Sequence, residues 1–391
     1  LEHRPEAEQE HWSSRFHFAV DNGYEVPVIG DVLSMNMGEW HFVIDRHQLI
    51  REGWSPSSFT GAGFTSMLEN TRFWPIYYNY WYGLDHKHEQ EETSGDVFVH
   101  RVADAVDITA GEPFTWTFPD AETMAAYDRL EADMIVGCAG SGHPYRSKCG
   151  EWDTVGGIFL CEDELCEGAQ RRIIKWITPY SSPGRWVIDI TPELVHLADG
   201  GDLTFVAAHG DNNVGAYTYK YTVDMRFSHA DDGLRPFAIE ELVPRGNYGF
   251  AGMTDAFEPW QVVAPEGTVK AELYARISGH GMAENNCAEF CTFEHLFEVN
   301  GTPFMHEYLM ENYLRCAEWV SLGVTPNGGG NWQPDRSSWC PGWVIEEWRE
   351  DLTAAFDLEG GINVVDHTAT QELGPPPGGN MDARVEIVFY Q

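Results

Sequence analysis

The sequence predicts an all-β protein built from two antiparallel sandwiches, and three observations predict it. Apolar and polar residues alternate with period two in run after run from Val97 to the C-terminus. Gly, Pro, Asn and Asp clusters separate those runs, and helical periodicity is scarce. At 391 residues the chain has room for two or three domains. Of these residues 43% are apolar and 13% aromatic, so a sizeable core is expected and disorder is a poor account.

Residues 1–95 form an extra N-terminal region of different texture. It holds the aromatic cluster Phe73-Trp74-Pro75-Ile76-Tyr77-Tyr78-Asn79-Tyr80-Trp81-Tyr82, which suits a packed core or an interdomain face better than a carbohydrate-stacking platform. The polar run 85–96 reads as a linker or long loop, with Asp85-His86-Lys87-His88-Glu89 as solvated charge. The first sandwich is expected over 97–230. Its strand candidates are 172–178, 186–190 and the run in which Tyr217, Tyr219, Tyr221, Val223, Met225 and Phe227 alternate with polar residues. Ala230-Asp231-Asp232-Gly233 marks a boundary, and the second sandwich is expected over 234–391. There Val269, Ala271, Leu273, Ala275 and Ile277 repeat the alternation, as do Val385, Ile387 and Phe389. Residues 344–356 are the best helix candidate. Asn300-Gly301 reads as a hairpin turn, although Asn300-Gly301-Thr302 also fits a glycosylation sequon. The Gly-rich 327–331 lacks the lysine of a phosphate loop and reads as a plain loop.

Charge narrows the partners. Lys plus Arg number 24 and Asp plus Glu 62, a net charge of −38, so nucleic acid and anionic membrane would both be repelled. No apolar run reaches the length of a membrane span, about 18 residues. The eight cysteines, Cys138, Cys149, Cys161, Cys166, Cys287, Cys291, Cys316 and Cys340, contain no Cys-x-x-Cys knuckle, which favours disulfides over zinc. Nearest neighbours are the simplest pairs (138–149, 161–166, 287–291 and 316–340) among about a hundred connectivities. Disulfides imply a secreted, periplasmic or cell-surface protein. With no charged and apolar leader after Leu1, any signal peptide is expected to be already removed.

Two acid-bearing segments are pinned by cysteines, Cys149-Gly150-Glu151-Trp152-Asp153 and Cys287-Ala288-Glu289-Phe290-Cys291. A carboxylate held beside a disulfide and an aromatic ring is preorganised and partly desolvated, which raises its pKa toward the range useful for acid–base work. With 62 acids in the chain, a surface carboxylate on a disulfide loop is the default reading of either segment by spacing alone.

These segments occur with Phe114-Thr115-Trp116-Thr117-Phe118-Pro119, Trp176-Ile177-Thr178-Pro179-Tyr180 and Asn331-Trp332-Gln333-Pro334-Asp335-Arg336-Ser337-Ser338-Trp339-Cys340-Pro341-Gly342. In that order, over about 97–391, the chain resembles the bacterial peptide-N-glycosidase F family. The resemblance implies two packed eight-stranded antiparallel jelly-roll sandwiches, an architecture shared with peptidylglycine hydroxylating monooxygenases, with the active site at their junction. It implies a secreted amidase that hydrolyses the Asn–GlcNAc bond of an N-glycoprotein or glycopeptide and needs no cofactor. Asp153 would be the principal acid, Glu289 its helper and Arg336 an oxyanion or carboxylate contact, with Trp152 and Trp339 as substrate-binding residues.

The chain also departs from the family pattern. The family's third acid falls at Ala208 or His209, and the Trp-Gly-His that follows its Ser-Gly pair is His280-Gly281-Met282 here. His209, His280 and Met282, joined by His143, make a soft ligand set that suits copper. A copper oxygenase-like protein on the same fold is therefore the alternative reading. A non-catalytic glycan-binding protein using the aromatic N-terminal region is a third.

Overall fold

The computed structural model describes residues 41–44, 50–54, 64–138, 152–180, 182–208, 210–211, 215–216, 218–230, 232–249, 257–281, 288–308, 315–326, 332–371 and 380–391. The chain divides into two compact units, Leu1–Thr65 and Ser66–Gln391. The described part of the first is an antiparallel pair, β1 (His41–Ile44) and β2 (Ile50–Trp54). Helix α1 (Phe64–Ser94) precedes two sandwiches of four-stranded antiparallel sheets.

The first sandwich uses β3 (Phe98–Thr109), β4 (Pro113–Asp120), β5 (Arg129–Cys138), β6 (Val155–Cys161), β7 (Gln170–Ile177), β8 (Gly184–Asp189), β9 (Gly200–Ala208) and β12 (Thr218–Ser228). A short pair, β10 (Gly210–Asp211) and β11 (Gly215–Ala216), lies between the last two. The sheets run β3-β12-β5-β8 and β4-β9-β6-β7. The second sandwich uses β13 (Pro236–Gly249), β14 (Trp260–Val263), β15 (Lys270–His280), β16 (Phe293–Val299), β17 (Thr302–Tyr308), β18 (Trp348–Asp351), β19 (Ile362–Gln371) and β20 (Asn380–Tyr390). Its sheets run β13-β20-β15-β18 and β14-β19-β16-β17. Counting strands within each sandwich, both show the order 1-8-3-6 facing 2-7-4-5. That is the wrapped, closed-edge arrangement of a jelly roll, and it is the all-β, twice eight-stranded fold that the alternation and the resemblance led us to expect.

Alternation does what it predicts inside each sandwich. Tyr219, Tyr221, Val223, Met225 and Phe227 of β12 enter the first core beside Trp116, Trp176 and Trp186. Ala271, Leu273, Ala275 and Ile277 of β15 enter the second with Val385, Ile387 and Phe389 of β20. Asn300 and Gly301 both take positive φ and turn β16 into β17, as an Asn-Gly hairpin requires. Cys161–Cys166 staples the tip between β6 and β7, and Cys316–Cys340 closes a longer loop. Cys138 and Cys291 are disulfide-bonded as well, while their expected partners Cys149 and Cys287 lie outside the described residues.

Two expectations are corrected. The run 85–96 is not a linker: up to Ser94 it is the C-terminal part of α1. The cause is tertiary, since Asp85 accepts from Arg185 (2.5 Å), His88 lies 3.2 Å from Asp133, and Glu91 accepts from Arg226 (2.7 Å). The solvated reading of Asp85-His86-Lys87-His88-Glu89 accordingly fails at His88, which is buried. Residues 344–356 are not a helix either, but contain strand β18 and the single turn Thr353–Ala355, because β18 completes a sheet edge against β15. Part of the aromatic cluster packs, since Phe73 and Tyr77 join Cys316, Val320, Trp332 and Cys340 in a core of their own, while Tyr82 is exposed. The Tyr77 hydroxyl accepts from the Arg185 amide (3.1 Å) and lies 2.9 Å from Thr325 Oγ1, tying α1 to both sandwiches.

Candidate active site

The junction between the sandwiches is polar, and strand geometry makes it so. Because side chains alternate along a strand, β15 turns Arg276, Ser278 and His280 away from its own core while β20 turns Asp382, Arg384 and Glu386 the same way. Facing them are Arg171, Arg172 and Lys175 of β7, and Glu193. Arg172 forms a two-pronged pair with Asp382 (2.5 and 3.1 Å), and Lys175 donates to Asp382 Oδ1, to its carbonyl and to Ser278 Oγ at 2.7–3.0 Å. Arg276 reaches Glu193 (2.9 Å), and Arg171 bonds Glu193 and Glu386. Against the desolvation of burial, Lys175 and Arg172 hold the Asp382 carboxyl well below the usual carboxylate range.

At one end of this junction three charged groups from the two sandwiches meet. Asp153 leads into β6, and its segment is fixed by Thr178: the Thr154 amide donates to Thr178 Oγ1 (2.9 Å), which donates to the Trp152 carbonyl (2.7 Å). Glu289 lies in the turn Ala288–Phe290, whose backbone bonds Gly281 and Ser337. Arg336 and Trp339 form an antiparallel bridge across a two-residue turn. Ser338 there takes φ +67°, a left-handed value rare for a residue with a Cβ, and its hydroxyl donates to the Ile277 carbonyl. Bridged residues project to the same face, so the Arg336 guanidinium lies 5.4 Å from the Trp339 ring, with Phe290 at 5.3 Å on another side.

Arg336 is buried, with Nη2 3.9 Å from Asp153 Oδ2 and Nε 3.6 Å from Glu289 Oε1. These are charge-pairing distances, longer than hydrogen bonds. The Tyr180 hydroxyl donates to Asp153 Oδ2 at 2.6 Å. Burial raises the Asp153 carboxyl above its ordinary value, opposed by the Tyr180 bond and the Arg336 charge. Burial also raises Glu289, and here the Asp153 charge adds to it while Arg336 opposes. The two acids thus sit in unequal surroundings, with Asp153 the better supported as an anion, and such a difference can separate base from acid.

The acids open onto a cavity of about 510 Å³ lined also by Gly156, Phe159, Ala208, His280 and Trp339. That volume suits a small saccharide or peptide segment. Trp152 is 54% exposed beside Asp153, whereas Trp339 is buried, its indole N–H donating to the Gly279 carbonyl (2.8 Å). Tyr180 was not singled out by sequence; it sits in the quoted segment 176–180, but only the fold shows which acid it touches.

Of the copper set, His143, His209 and Met282 lie outside the described residues. His280 stacks on Trp339, and its Nε2 is 2.7 Å from Ser278 Oγ. Lys175 already donates to that oxygen, so the serine hydroxyl donates to the imidazole. Burial and the Lys175 charge pull His280 down to about 3. Among the described residues no group of three or more His, Cys, Asp or Glu side chains is placed to hold a metal.

With that geometry in place, comparison with known proteins is informative. Residues 247–378, which include Glu289 and Arg336, match the family model described as peptide-N-glycosidase F, C terminal. Over those residues the chain is similar to the peptide-N-glycosidase F family. It is 26% identical over 215 residues to peptide-N(4)-(N-acetyl-beta-D-glucosaminyl)asparagine amidase F of Elizabethkingia miricola, a match covering 50% of this chain and 57% of that protein. The chain thus spans somewhat more than half the length of that curated relative. A crystal structure of an amidase of the same description aligns over 75% of this chain and 96% of its own, with TM-score 0.56 and 20% identity. PNGase F, described as a glycosylasparaginase from Flavobacterium meningosepticum, aligns over 75% and 95% with TM-score 0.57 and 20% identity. At that identity the structural likeness speaks for the fold.

Proposed function

We propose that this peptide-N-glycosidase F relative is an amidase of secreted, periplasmic or surface location that hydrolyses the Asn–GlcNAc amide of N-glycoproteins or glycopeptides. The observation that carries the reading is the meeting of Asp153 and Glu289, from different sandwiches, on the buried guanidinium of Arg336 at the mouth of one cavity. The curated relative's name, an asparagine amidase, supports the reaction class.

The chemistry follows from the three groups. Asp153, kept anionic by Tyr180 and Arg336, accepts a proton from water as the water oxygen bonds to the amide carbon. Arg336 faces the developing oxyanion, where burial of the guanidinium makes its charge count for more than it would in water. The carbon–nitrogen bond then breaks, and protonated Glu289 delivers its proton to the leaving nitrogen, giving aspartate and a glycosylamine. Exposed Trp152 offers a flat face for the first sugar. Base, acid and oxyanion contact are all side chains, so the reaction needs no cofactor.

The test is glycan release from a denatured N-glycoprotein. Wild type should release glycan, while Asp153→Asn should release none and keep its melting temperature. Release undiminished in Asp153→Asn would remove the assignment.

A further inference from the structure

Among the described residues, one arginine lining the cavity has no counter-charge. Among the described residues, each arginine and lysine whose side chain is described reaches a carboxylate, except Arg235 and Arg245. Arg235 donates to the backbone carbonyls of Met124 and Tyr127. Among the described residues Arg245, an exposed side chain, makes no hydrogen bond or ion pair, and it lines the same cavity as Asp153 and Glu289. In a chain of net charge −38, an uncompensated guanidinium turned into a cavity calls for a ligand.

Its placement is built. Arg245 rides on an irregularity in β13, where pairing with β20 slips between Val243 and Gly246. The Tyr248 hydroxyl donates to the Pro244 carbonyl across this bulge, and a Cβ on Gly246 would come within 2.7 Å of the Tyr248 ring, so glycine fits there. The guanidinium then crosses to the other sandwich and stacks over Phe159 at 4.4 Å. Stacking fixes its plane and leaves the N–H fork on the edge available. Asn247 and Asn380, both exposed, add amide donors on the same cavity wall. The carboxylate on this wall, Asp382, is already engaged by Arg172 and Lys175 and does not neutralise Arg245.

We infer that Arg245, with Asn247 and Asn380, forms a subsite for an oxyanion carried by the substrate, such as a sulfate, phosphate or carboxylate on a sugar near the scissile amide. The inference rests on the amidase reading only for the identity of the substrate. An acidic side chain of the glycopeptide has the same chemistry and would occupy the same fork.

Calorimetry on the full chain separates these points, because it reads binding without turnover. Wild type should bind 6-O-sulfo-N-acetylglucosamine at least about tenfold more tightly than N-acetylglucosamine, as expected for a charge-assisted contact. Arg245→Gln should erase that ratio and Arg245→Lys should keep part of it. Equal ratios in wild type and Arg245→Gln would overturn the subsite, whatever the protein hydrolyses. For turnover, three matched glycopeptides are compared: neutral, sulfated on the core sugar, or carrying an aspartate beside the glycosylated asparagine. A kcat/KM preference for either charged form that Arg245→Gln abolishes supports the subsite and says which part of the substrate bears the oxyanion. Hydrolysis of all three at one rate would overturn it while leaving the amidase intact. Sulfo-sugar binding with no hydrolysis would keep the subsite and discard the amidase.

Discussion

At the scale of single residues, the site is a contest between desolvation and two compensating groups. Burial lifts both carboxyls, and Tyr180 and Arg336 pull Asp153 back. If Asp153 is the base and Glu289 the acid, kcat/KM should be bell-shaped in pH. Its acid limb lies where Asp153 gains a proton and its basic limb where Glu289 loses one, and both limbs belong to the coupled pair. Glu289→Gln should lower kcat/KM by roughly 10²–10⁴-fold, the range for a positioned acid or base, and flatten the basic limb. Tyr180→Phe is the sharper test. Its hydroxyl stabilises ionised Asp153, so removing it raises the Asp153 pKa further and moves the acid limb to higher pH. An acid limb that stays in place would mean that Tyr180 only packs. Asp153, Glu289 and Arg336 could be named from the sequence because they sit in long motifs. Tyr180 and Arg245 could not, since what marks them is a partner or the lack of one, and neither is written in local sequence.

At the scale of elements, alternation located the strands and the core faces of β12, β15 and β20 but misread what the other face meets. Polar residues alternating with apolar ones normally face water. Here Asp382, Arg384 and Glu386 face the first sandwich: Arg172 and Lys175 pair with Asp382, Arg171 pairs with Glu386, and Arg384 pairs with Glu386 and donates to the Arg172 carbonyl. Helix α1 was hidden for a related reason. Aromatics surround it between Phe73 and Tyr82, with Pro75 inside, so no apolar stripe shows, and its polar half is held by partners far along the chain. The junction network carries its own prediction. Asp382→Asn leaves Arg172 and Lys175 buried with their counter-charge gone, which should cost about 3–5 kcal/mol. Adding Lys175→Met should recover part of that loss, so the double variant falls short of the sum. Urea midpoints of the four proteins check it; strict additivity would show that the pair is not coupled. The acid side has a definite sign. Glu193 and Asp382 are held below their ordinary values, so their contribution is present above the unfolded carboxylate range and is lost as pH falls through the folded values.

For the whole molecule the decisive quantity is the surplus of acid. The 24 cations can neutralise at most 24 of the 62 acid charges, which leaves 62 − 24 = 38 negative charges without a counter-charge of the protein's own. Moreover, the cations are not spread evenly: Arg171, Arg172, Lys175, Arg276, Arg336 and Arg384 are gathered at the sandwich junction and its site. Glu193, Asp382, Glu386, Asp153 and Glu289 meet those cations there, so the surplus of negative charge lies almost wholly outside the junction. Added salt has two opposing effects on such a protein. It weakens exposed ion pairs, each worth about 0–1 kcal/mol, and it screens the surface repulsion. Buried junction pairs such as Arg276–Glu193 are shielded from it by burial. With few exposed cations and many exposed acids, the second effect should win. The melting temperature should rise by several degrees as sodium chloride goes from about 0.01 M to about 1 M, where the Debye length shrinks from about 30 Å to about 3 Å. Most of that rise should come below about 0.15 M, where screening across the surface is gained fastest, and lithium or potassium should act like sodium because no specific cation site is invoked. A melting temperature that falls with salt would mean that exposed pairs, and not the buried junction, hold the sandwiches together.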